Sequence, residues 1–307
     1  MELVARQAHG LPAGTIQDVE RCFSELVSEG VLAIVGPAVS DNGLVVGRLA
    51  SVNGVPCVNY TGGERTRSDW MFHYQVGSLE EEPLVLIEYL TGIGSSDVAI
   101  VCDRTPVGRG YADTFVAGAE AAGIQVVASA LVDPLADTAE PLGDALSRVR
   151  AAAPDSVCYL GMGVAARGLA RWMEDQGWKS RVVANSALMF AYLHRDWREL
   201  WDGWTYVDTL SDTNTTLAEL RHKDRRTGGG PVGVAAYDIG RLIGAGLAST
   251  VHLTRDGLRE GLERVKRLPA SSGRDGTTMG FGNYDHAALK GPYLVLRRWQ
   301  DGRSVEI

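Results

Sequence analysis

Two short apolar runs without polar alternation stand out in the first part of the chain. The first covers residues 31–35 and the second covers residues 55–59. Continuous apolar runs of this length are typical of strands buried on both faces of a parallel sheet. Small hydroxyl, amide and glycine residues follow each run. Because ligands bind at the carboxyl edge of open parallel sheets, the residues after these two strands are candidates for a binding site.

Helical spacing precedes these runs. Apolar residues separated by three and four positions predict one face of a helix, and they comprise Val19, Cys22, Phe23 and Leu26. Thr15 can cap this helix, with Asp18 three residues further on, and Gly30 ends it. An additional strand is expected near residues 3–5.

Strands and helices then alternate to the end of the chain. Further strands are predicted at residues 72–76, 98–102, 124–131, 156–160, 181–185, 204–208 and 293–297. Further helices are predicted at 42–53, from Glu80 onward, from after Cys102 to about Ala122, and at 141–152, 164–176, 213–225, 232–250 and 256–267. A turn is expected at Asp301-Gly302, and the linker-like tract is 227–231. This order predicts an α/β protein whose mostly parallel sheets carry helices on both faces.

Composition narrows the classes of partner. The chain has 307 residues, 45% hydrophobic and 22% charged, which is an ordinary globular composition long enough for two lobes with separate cores. A net charge of -8 without a Lys/Arg cluster argues against nucleic acid or an anionic membrane as partner. No apolar run reaches the ~18 residues that span a bilayer. Small molecules and proteins remain as partners.

Metal and redox chemistry have little support in the sequence. The cysteines Cys22, Cys57, Cys102 and Cys158 are widely spaced, without a Cys-x-x-Cys motif or a neighbouring His cluster. Three lie in strand-like runs and one lies on a helix face, so we expect buried reduced thiols that pack as small hydrophobic groups. A single disulfide is the alternative, and the spacing of the cysteines does not decide between the two. We expect no metal and no cofactor.

Catalytic motifs are also missing from the sequence. Gly161-Met162-Gly163, with Gly168 further on, follows a predicted strand, but its spacing is not that of a dinucleotide-binding loop. No Gly-x-Ser-x-Gly elbow or His-Glu-x-x-His helix occurs, and the six histidines are scattered. We therefore expect a protein that is not an enzyme, and a dinucleotide-dependent enzyme ranks last among the alternatives.

The motif Gly-Pro-x-x-Ser at residues 36–40, followed by Val-Pro-x-x-Asn-x-Thr at 55–61, resembles the first lobe of type I periplasmic binding proteins. The branched-chain amino-acid-binding family of ABC importers is the nearest group, and the resemblance continues to Ile307. It implies two lobes, one of residues 1–93 and 209–277 and the other of 94–208 and 278–307. It also implies a small polar solute, such as an amino acid, amide or carboxylate, bound between closing lobes, and an ABC permease as partner.

The beginning of the chain departs from this family pattern. Relatives carry another strand and helix before the segment matching residues 1–30, so the first strand and helix of lobe 1 are expected to be missing. Residues 1–6 do not resemble the start of a signal peptide. The resemblance implies a periplasmic or cell-surface location. A cytoplasmic sensor on the same fold is the alternative.

Lobe 1 supplies the first set of candidate binding residues. Ser40 can cap a helix whose free backbone N–H groups suit a carboxylate, and Asn42 lies in the same turn. Thr61, Gly62 and Gly63 follow the next strand, where glycine lets the backbone approach a ligand. In relatives, the positions matching Ser40 and Thr61 to Gly63 hold the α-carboxylate and amino groups. A plain helix cap and a tight turn are the structural alternatives.

Lobe 2 matches the family less closely. Asp103 follows the 98–102 strand, and Asn185-Ser186 lies at the end of the 181–185 strand, where a structural cap is the alternative to ligand binding. Tyr237 belongs to a Tyr-Asp pair frequent in the family, whose aspartate could serve only to order the hinge. Val107 replaces a family tyrosine, and Asn185 stands where amino-acid binders can supply a carboxylate. An amide, a carboxylate or another weakly charged solute is therefore expected to bind better than leucine or valine.

Overall fold

The computed structural model describes residues 2–74, 78–223 and 229–307. Two compact units emerge, the first of Met1–Ser78 and Thr213–Tyr293 and the second of Leu79–Asp212 and Leu294–Ile307. Each unit is an α/β layer structure, which confirms the predicted fold class.

The first unit is built on a small parallel sheet. Its strands β1 (Ile34–Val35), β2 (Cys57–Asn59) and β3 (Met71–His73) lie side by side in chain order. A second sheet is antiparallel and was not predicted from the sequence. Its strands are β9 (Leu268–Pro269), β10 (Thr278–Met279) and β11 (Leu289–Lys290). The helices of this unit are α1 (Ile16–Ser28), α2 (Ser40–Asn53), α8 (Thr215–Lys223), α9 (Pro231–Ala248) and α10 (Arg255–Glu263).

The helix predicted after Thr15 is present. The Thr15 hydroxyl accepts a hydrogen bond from the Asp18 N–H, which satisfies an otherwise unpaired donor of the first turn. Gly30 has φ +75°, a left-handed conformation that glycine adopts at little cost. The apolar face of α1 packs with α2 and β2, and the buried cluster contains Val19, Phe23, Ile34, Val46, Ala50, Val55, Cys57 and Met71.

The strand expected at residues 3–5 is absent, and the residues that follow it, 6–9, bond to side chains of α1. The Asp18 carboxylate accepts from the His9 N–H at 2.6 Å, and the Cys22 thiol donates to the Gln7 carbonyl at 3.4 Å. Arg6 donates to Glu25 and Glu29 on the same helix. Local side-chain hydrogen bonds of this kind replace a strand ladder.

The second unit is built on a seven-stranded sheet with the order β13-β12-β8-β7-β6-β4-β5. Its strands are β4 (Asp97–Asp103), β5 (Gln125–Val132), β6 (Ser156–Leu160), β7 (Arg181–Ala184), β8 (Thr205–Asp208), β12 (Val295–Gln300) and β13 (Arg303–Glu306). The first five are parallel, whereas β12 and β13 join antiparallel. Its helices are α3 (Glu82–Gly92), α4 (Pro106–Ala121), α5 (Gly143–Ala151), α6 (Val164–Asp175) and α7 (Arg195–Leu200).

The boundaries of the units differ from those expected from the resemblance. Helix α3 belongs to the second unit because Leu86 and Leu90 lie in one buried cluster with Val98 and Ile100 of β4. Residues 278–293 belong to the first unit, because β10 pairs with β9 and because the Ala288 N–H donates to the His73 carbonyl. Packing, rather than the order of elements, sets these divisions.

None of the helices within the described ranges combines the length and the apolarity needed to cross a bilayer. The four cysteines are free thiols, and all are buried. Burial raises the pKa of Cys57 to about 12 and that of Cys102 to about 11. These thiols therefore pack as apolar groups, as predicted.

Candidate functional site

In the first unit the carboxyl ends of β1, β2 and β3 meet at one edge of the sheet, because the three strands are parallel. The segments that follow them carry the residues predicted from the sequence. Between β1 and α2 the Gly36–Pro37 peptide is cis. The Gly36 N–H donates to the Val58 carbonyl and the Tyr60 N–H donates to the Pro37 carbonyl, so the first two segments are held together.

Ser40 opens α2 but does not cap it. The helix begins at Ser40, and its N-cap residue is Val39, which has no side-chain hydrogen bond to offer. No described residue hydrogen-bonds the Ser40 hydroxyl, and the residue is half-buried. The capping role expected for Ser40 is therefore wrong, because the chain enters the helix one residue earlier. A hydroxyl beside first-turn N–H groups remains, and this arrangement suits an anionic ligand group.

The Asn42 side chain is hydrogen-bonded to the segment that precedes α1. Its Oδ1 accepts from the Leu11 N–H at 2.8 Å, and its Nδ2 donates to the Leu11 carbonyl at 3.1 Å. The residue is 8% exposed. Both ends of the amide are used, so Asn42 anchors the segment before α1 to the start of α2 rather than offering its side chain to a solute.

The Thr61 side chain is also committed inside the unit. Its Oγ1 lies 2.8 Å from Asn59 Oδ1, 3.2 Å from Thr66 Oγ1 and 3.0 Å from His73 Nδ1. Burial lowers the pKa of His73 to about 3, with nearby Arg67 acting in the same direction, so the imidazole is neutral at physiological pH. Gly62 and Gly63 are buried, and the Gly63 carbonyl accepts from Thr66. This network fixes the shape of the loop after β2.

A second polar network joins β3, α9 and the loop after β9. Asp238 is fully buried and accepts from the Tyr74 hydroxyl at 2.7 Å, the Ser271 N–H at 2.7 Å and Arg241 at 3.0 Å. Its neighbour Tyr237 is 38% exposed, with the Arg241 guanidinium 5.6 Å from the ring centroid. Asp238 holds the unit together, whereas the Tyr237 ring is accessible to a ligand.

In the second unit Asp103 ends β4 as a fully buried carboxylate. It accepts from the Tyr159 hydroxyl at 2.8 Å and from the Met162 N–H at 2.6 Å. Burial raises the pKa of Asp103 to about 6, although the two hydrogen bonds act in the opposite direction. Gly161 is required beside it, because a Cβ there would lie 2.3 Å from the Asp103 carboxyl carbon. The Gly161-Met162-Gly163 segment is thus a cradle for a carboxylate and not a dinucleotide loop.

Asn185 and Ser186 lie after β7 and bond to two different segments of the second unit. The Asn185 amide accepts from the Gly161 N–H at 3.2 Å and donates to the Gly161 carbonyl at 3.0 Å, so it clamps the backbone after β6. The Ser186 N–H donates to the Glu82 carboxylate at 2.8 Å, and the Tyr111 hydroxyl donates to the same oxygen at 3.2 Å. Asn185 and Ser186 are 2% and 4% exposed, and the Asn185 side chain makes no capping hydrogen bond to the turn Ser186–Tyr192 that follows it.

The sequence did not identify several polar residues at these two edges. Glu82 was not singled out in the sequence, yet it is fully buried and its carboxylate accepts from the Ser186 N–H. Tyr159 and Tyr74 lie in apolar runs, and nothing in those runs distinguishes a tyrosine that orients a carboxylate from one that only fills the core. Their partners are 56 and 164 residues distant in sequence, so no local pattern could reveal them.

The chemistry that these edges offer is hydrogen bonding. Within the described ranges no group of three or more His, Cys, Asp or Glu side chains is placed to hold a metal ion. Two buried carboxylates at these edges, Asp103 and Asp238, already accept several donors each. Among the residues predicted for the site, the Ser40 hydroxyl has no hydrogen-bond partner within the described residues, and the ring of Tyr237 is exposed.

Comparison with known proteins gives a consistent result. A family model described as "Periplasmic binding protein" matches residues 12–302. No curated protein matches the sequence.

Solved structures with the same fold are numerous but distant in sequence. A leucine binding protein from Thermotoga maritima has a TM-score of 0.83 at 15% identity, covering 96% of this chain and 84% of that chain. An extracellular ligand-binding receptor from Rhodopseudomonas palustris has a TM-score of 0.80 at 17% identity, covering 96% and 87%. An ABC transporter substrate-binding protein from Desulfitobacterium hafniense, in complex with Leu, has a TM-score of 0.77 at 15% identity, covering 96% and 86%.

Proposed function

Since the chain belongs to the periplasmic binding protein family, we propose that it is the solute-binding component of an ABC importer. The observation that carries this proposal is the family match, which extends over residues 12–302 and therefore through both units. The family consists of binding proteins and not of enzymes. Similar structures include proteins described as leucine-binding and as ABC transporter substrate-binding.

Candidate solute contacts are proposed in each unit separately. In the first unit we assign these contacts to the Ser40 hydroxyl, the Ser40 and Asn42 N–H groups at the start of α2, the Thr61–Gly63 backbone and the Tyr237 ring. In the second unit the loops after β4 and β7, at Asp103 and at Asn185-Ser186, contribute. The bound solute shifts the population of conformations, and an ABC permease would recognise the solute-bound form.

The solute is proposed to be an amide, a carboxylate or another weakly charged molecule without a free ammonium group. A buried ammonium needs a carboxylate partner, and without one the cost is several kcal/mol. The Asp103 and Asp238 carboxylates are already engaged with Tyr159, Met162, Tyr74 and Arg241. The first-turn N–H groups of α2 suit a carboxylate or a carbonyl oxygen. Amides and small carboxylates therefore fit the described residues better than leucine or valine.

A calorimetric screen of the full chain tests this assignment. Amides, small carboxylates and amino acids are titrated separately, and the tightest solute is measured again with Ser40→Ala. We expect an amide or carboxylate to bind best and Ser40→Ala to weaken it by about tenfold, the usual effect of losing one hydrogen bond to a charged or polar group. Ser24→Ala on α1 is the matched control, since its hydroxyl bonds only to the Glu20 carbonyl.

Two results would contradict the proposal. Submicromolar leucine or valine binding would show that the solute class is wrong. If the folded protein bound no solute of the panel, the assignment of Ser40 and the start of α2 as a site for a carboxylate or an amide would be wrong.

A location outside the cytoplasm follows from the same proposal. Fractionation of the native cells, with an antibody against this chain, should find it with extracytoplasmic markers. Recovery with the cytoplasmic markers would instead favour an intracellular sensor built on the same fold.

A further inference from the structure

A pocket of about 270 Å³ opens on the first unit between α2 and the segment 64–68. Helix α2 contributes Gly43, Leu44, Gly47, Arg48 and Ser51, and the segment contributes Arg65, Thr66, Arg67 and Ser68. The two glycines bring the backbone of α2 close to Thr66. A Cβ at Gly43 would lie 3.0 Å from Thr66 Cγ2, so a larger residue there would press against the segment.

The pocket carries positive charge in an acidic protein. Three of its nine lining residues are arginines, and none of the described residues that line it is acidic. Two acids pair with these arginines at the rim: Arg48 lies 3.6 Å from Glu20, and Arg67 lies 3.4 Å from Glu64. The side chains of Glu20 and Glu64 are 37% and 58% exposed, so these pairs are solvated and weak.

Two donors at the pocket are buried and unsatisfied. Arg67 Nε and Ser68 Oγ are shielded from solvent, and neither has a hydrogen-bond partner among the described residues. Arg65 is exposed and is bonded to no described residue. A buried donor without a partner is costly, so such groups in folded proteins are normally paired with protein, water or an ion.

The chemistry of the lining selects the class of ligand. A guanidinium has only donors, arranged in a planar fork that matches two oxygens of a carboxylate, phosphate or sulfate. The serine hydroxyls add donors, whereas a cation would meet three positive charges. The volume is at the lower end of small-molecule sites, which excludes a large ligand.

We propose that this pocket binds a small oxyanion, held by Arg67 and Ser68 on the segment 64–68 and by Arg48 and Arg65 at its rim. The site goes beyond the proposed transport function. The first-unit residues assigned to the solute, Ser40, Asn42, Thr61–Gly63 and Tyr237, are not among the described residues lining it. Occupancy would join α2 to the segment that follows β2.

The proposal is tested by binding to the full chain at constant ionic strength. Sodium phosphate, sulfate and acetate are compared with sodium chloride by thermal shift and by calorimetry. We expect at least one oxyanion to raise the midpoint of unfolding above that in chloride, and the three probes separate tetrahedral anions from carboxylates. Equal midpoints in all four salts, with no heat of binding, would overturn the proposal.

Variants separate charge from shape. Arg67→Ala should weaken oxyanion binding by about tenfold or more, since it removes a charge-assisted contact. Arg65→Ala should weaken binding as well, and it cannot impair folding through a lost hydrogen bond because it has none within the described residues. Gly47→Met keeps all three arginines but fills the pocket, and a Cβ at this position makes only ordinary contacts of 3.6 and 3.8 Å.

Arg195→Ala, an exposed arginine at the start of α7 in the second unit, is the matched control and should bind like the original chain. Unchanged binding in Arg67→Ala, Arg65→Ala and Gly47→Met would mean that the anion lies elsewhere. Loss of oxyanion binding in these variants with solute binding retained would support the proposal. It would also keep this site distinct from the solute site.

Discussion

At the residue scale, each unit places a buried carboxylate close to the end of a strand. Asp103 is the last residue of β4, and Asp238 bonds to the tyrosine that follows β3. Both accept hydrogen bonds from a tyrosine hydroxyl and from a backbone N–H. A buried charge is tolerated only with such partners, so these residues shape the loops at which we place the solute.

The raised pKa of Asp103 makes the stability of the second unit depend on pH. Its folded pKa is about 6 and its ordinary value is 3.8, so folding favours the protonated form. This contribution to stability is fully present below about pH 4 and is lost as the pH rises through 6. Asp103→Asn cannot ionise. The original chain therefore loses stability between pH 4 and pH 7, and the variant does not. We expect the free energy of unfolding of the variant minus that of the original chain to increase by about 1–3 kcal/mol over this range.

Urea unfolding at several pH values measures this difference. Asp155→Asn is the control of opposite sign. Backbone hydrogen bonds from Asp97 and Ser96 lower the pKa of Asp155, so its contribution is present above pH 3.8 and is lost at lower pH. A difference for Asp103→Asn that stays flat between pH 4 and 7 would show that the carboxylate is not buried as described.

Gly161 is the residue on which the Asp103 cradle depends. Gly161→Ala would place a methyl group 2.3 Å from the Asp103 carboxyl carbon, and the overpacking should lower the free energy of unfolding by about 1–3 kcal/mol. Gly92→Ala, at the end of α3, meets nothing within 4 Å and should change stability by less than about 0.5 kcal/mol. Equal stability of the two variants, from denaturant titration, would contradict this account.

At the element scale, polar side chains rather than apolar contacts alone join the pieces that are distant in sequence. Asp238 on α9 bonds to Tyr74 after β3 and to Ser271 after β9. Glu82 on α3 bonds to the Ser186 N–H after β7. Each junction positions a loop at the carboxyl end of a sheet, where apolar packing has no directional preference of its own.

The Asp238 junction can be broken selectively. Asp238→Asn removes the negative charge that pairs with Arg241. It also replaces one accepting oxygen by an NH2 group, which cannot accept hydrogen bonds from Tyr74, Ser271 or Arg241. We therefore expect a loss of about 3–5 kcal/mol in the free energy of unfolding. Tyr74→Phe deletes one hydroxyl that bonds Asp238 and Ser272, and should cost about 1–3 kcal/mol. Chemical denaturation of both variants measures these losses. Asp238→Asn as stable as Tyr74→Phe would mean that the Arg241 pair contributes nothing.

At the scale of the whole molecule, each unit has its own apolar core. The cluster in the first unit includes Phe23 and Met71, and that in the second includes Tyr111 and Phe115. Cysteines contribute to both, with Cys57 in the first cluster and Cys102 and Cys158 in the second. Thiol accessibility therefore reports on the integrity of both units together.

All four thiols should be unreactive in the folded chain. Burial keeps them from solvent and raises the pKa of Cys57 to about 12, so the reactive thiolate is scarce at pH 8. We expect a disulfide-exchange reagent to label none of them rapidly in buffer and to label all four in denaturant without a reductant. If fewer than four cysteines were labelled in denaturant, the unlabelled ones would be in a disulfide, which would contradict the structure.

The sequence by itself determined the order of elements and the fold class. Continuous apolar runs located β4, β6 and β8, and the Thr15 cap located α1, because these signals are local and depend on a residue and its near neighbours. Short strands such as β9, β10 and β11 were not predicted, since two-residue strands carry no periodicity. The strand predicted at residues 3–5 is absent, and the neighbouring residues 6–9 bond to side chains of α1.

Tertiary structure alone decided what the candidate site residues do. Ser40, Asn42, Thr61, Asp103 and Asn185 were all selected for polar side chains at strand or helix ends. Packing then gave Asn42, Thr61, Asp103 and Asn185 internal partners and left the Ser40 hydroxyl without one among the described residues. A hydrogen bond between residues 31 or 56 positions apart depends on how the chain folds back. That geometry is set by burial of the whole unit and leaves no local trace in the sequence.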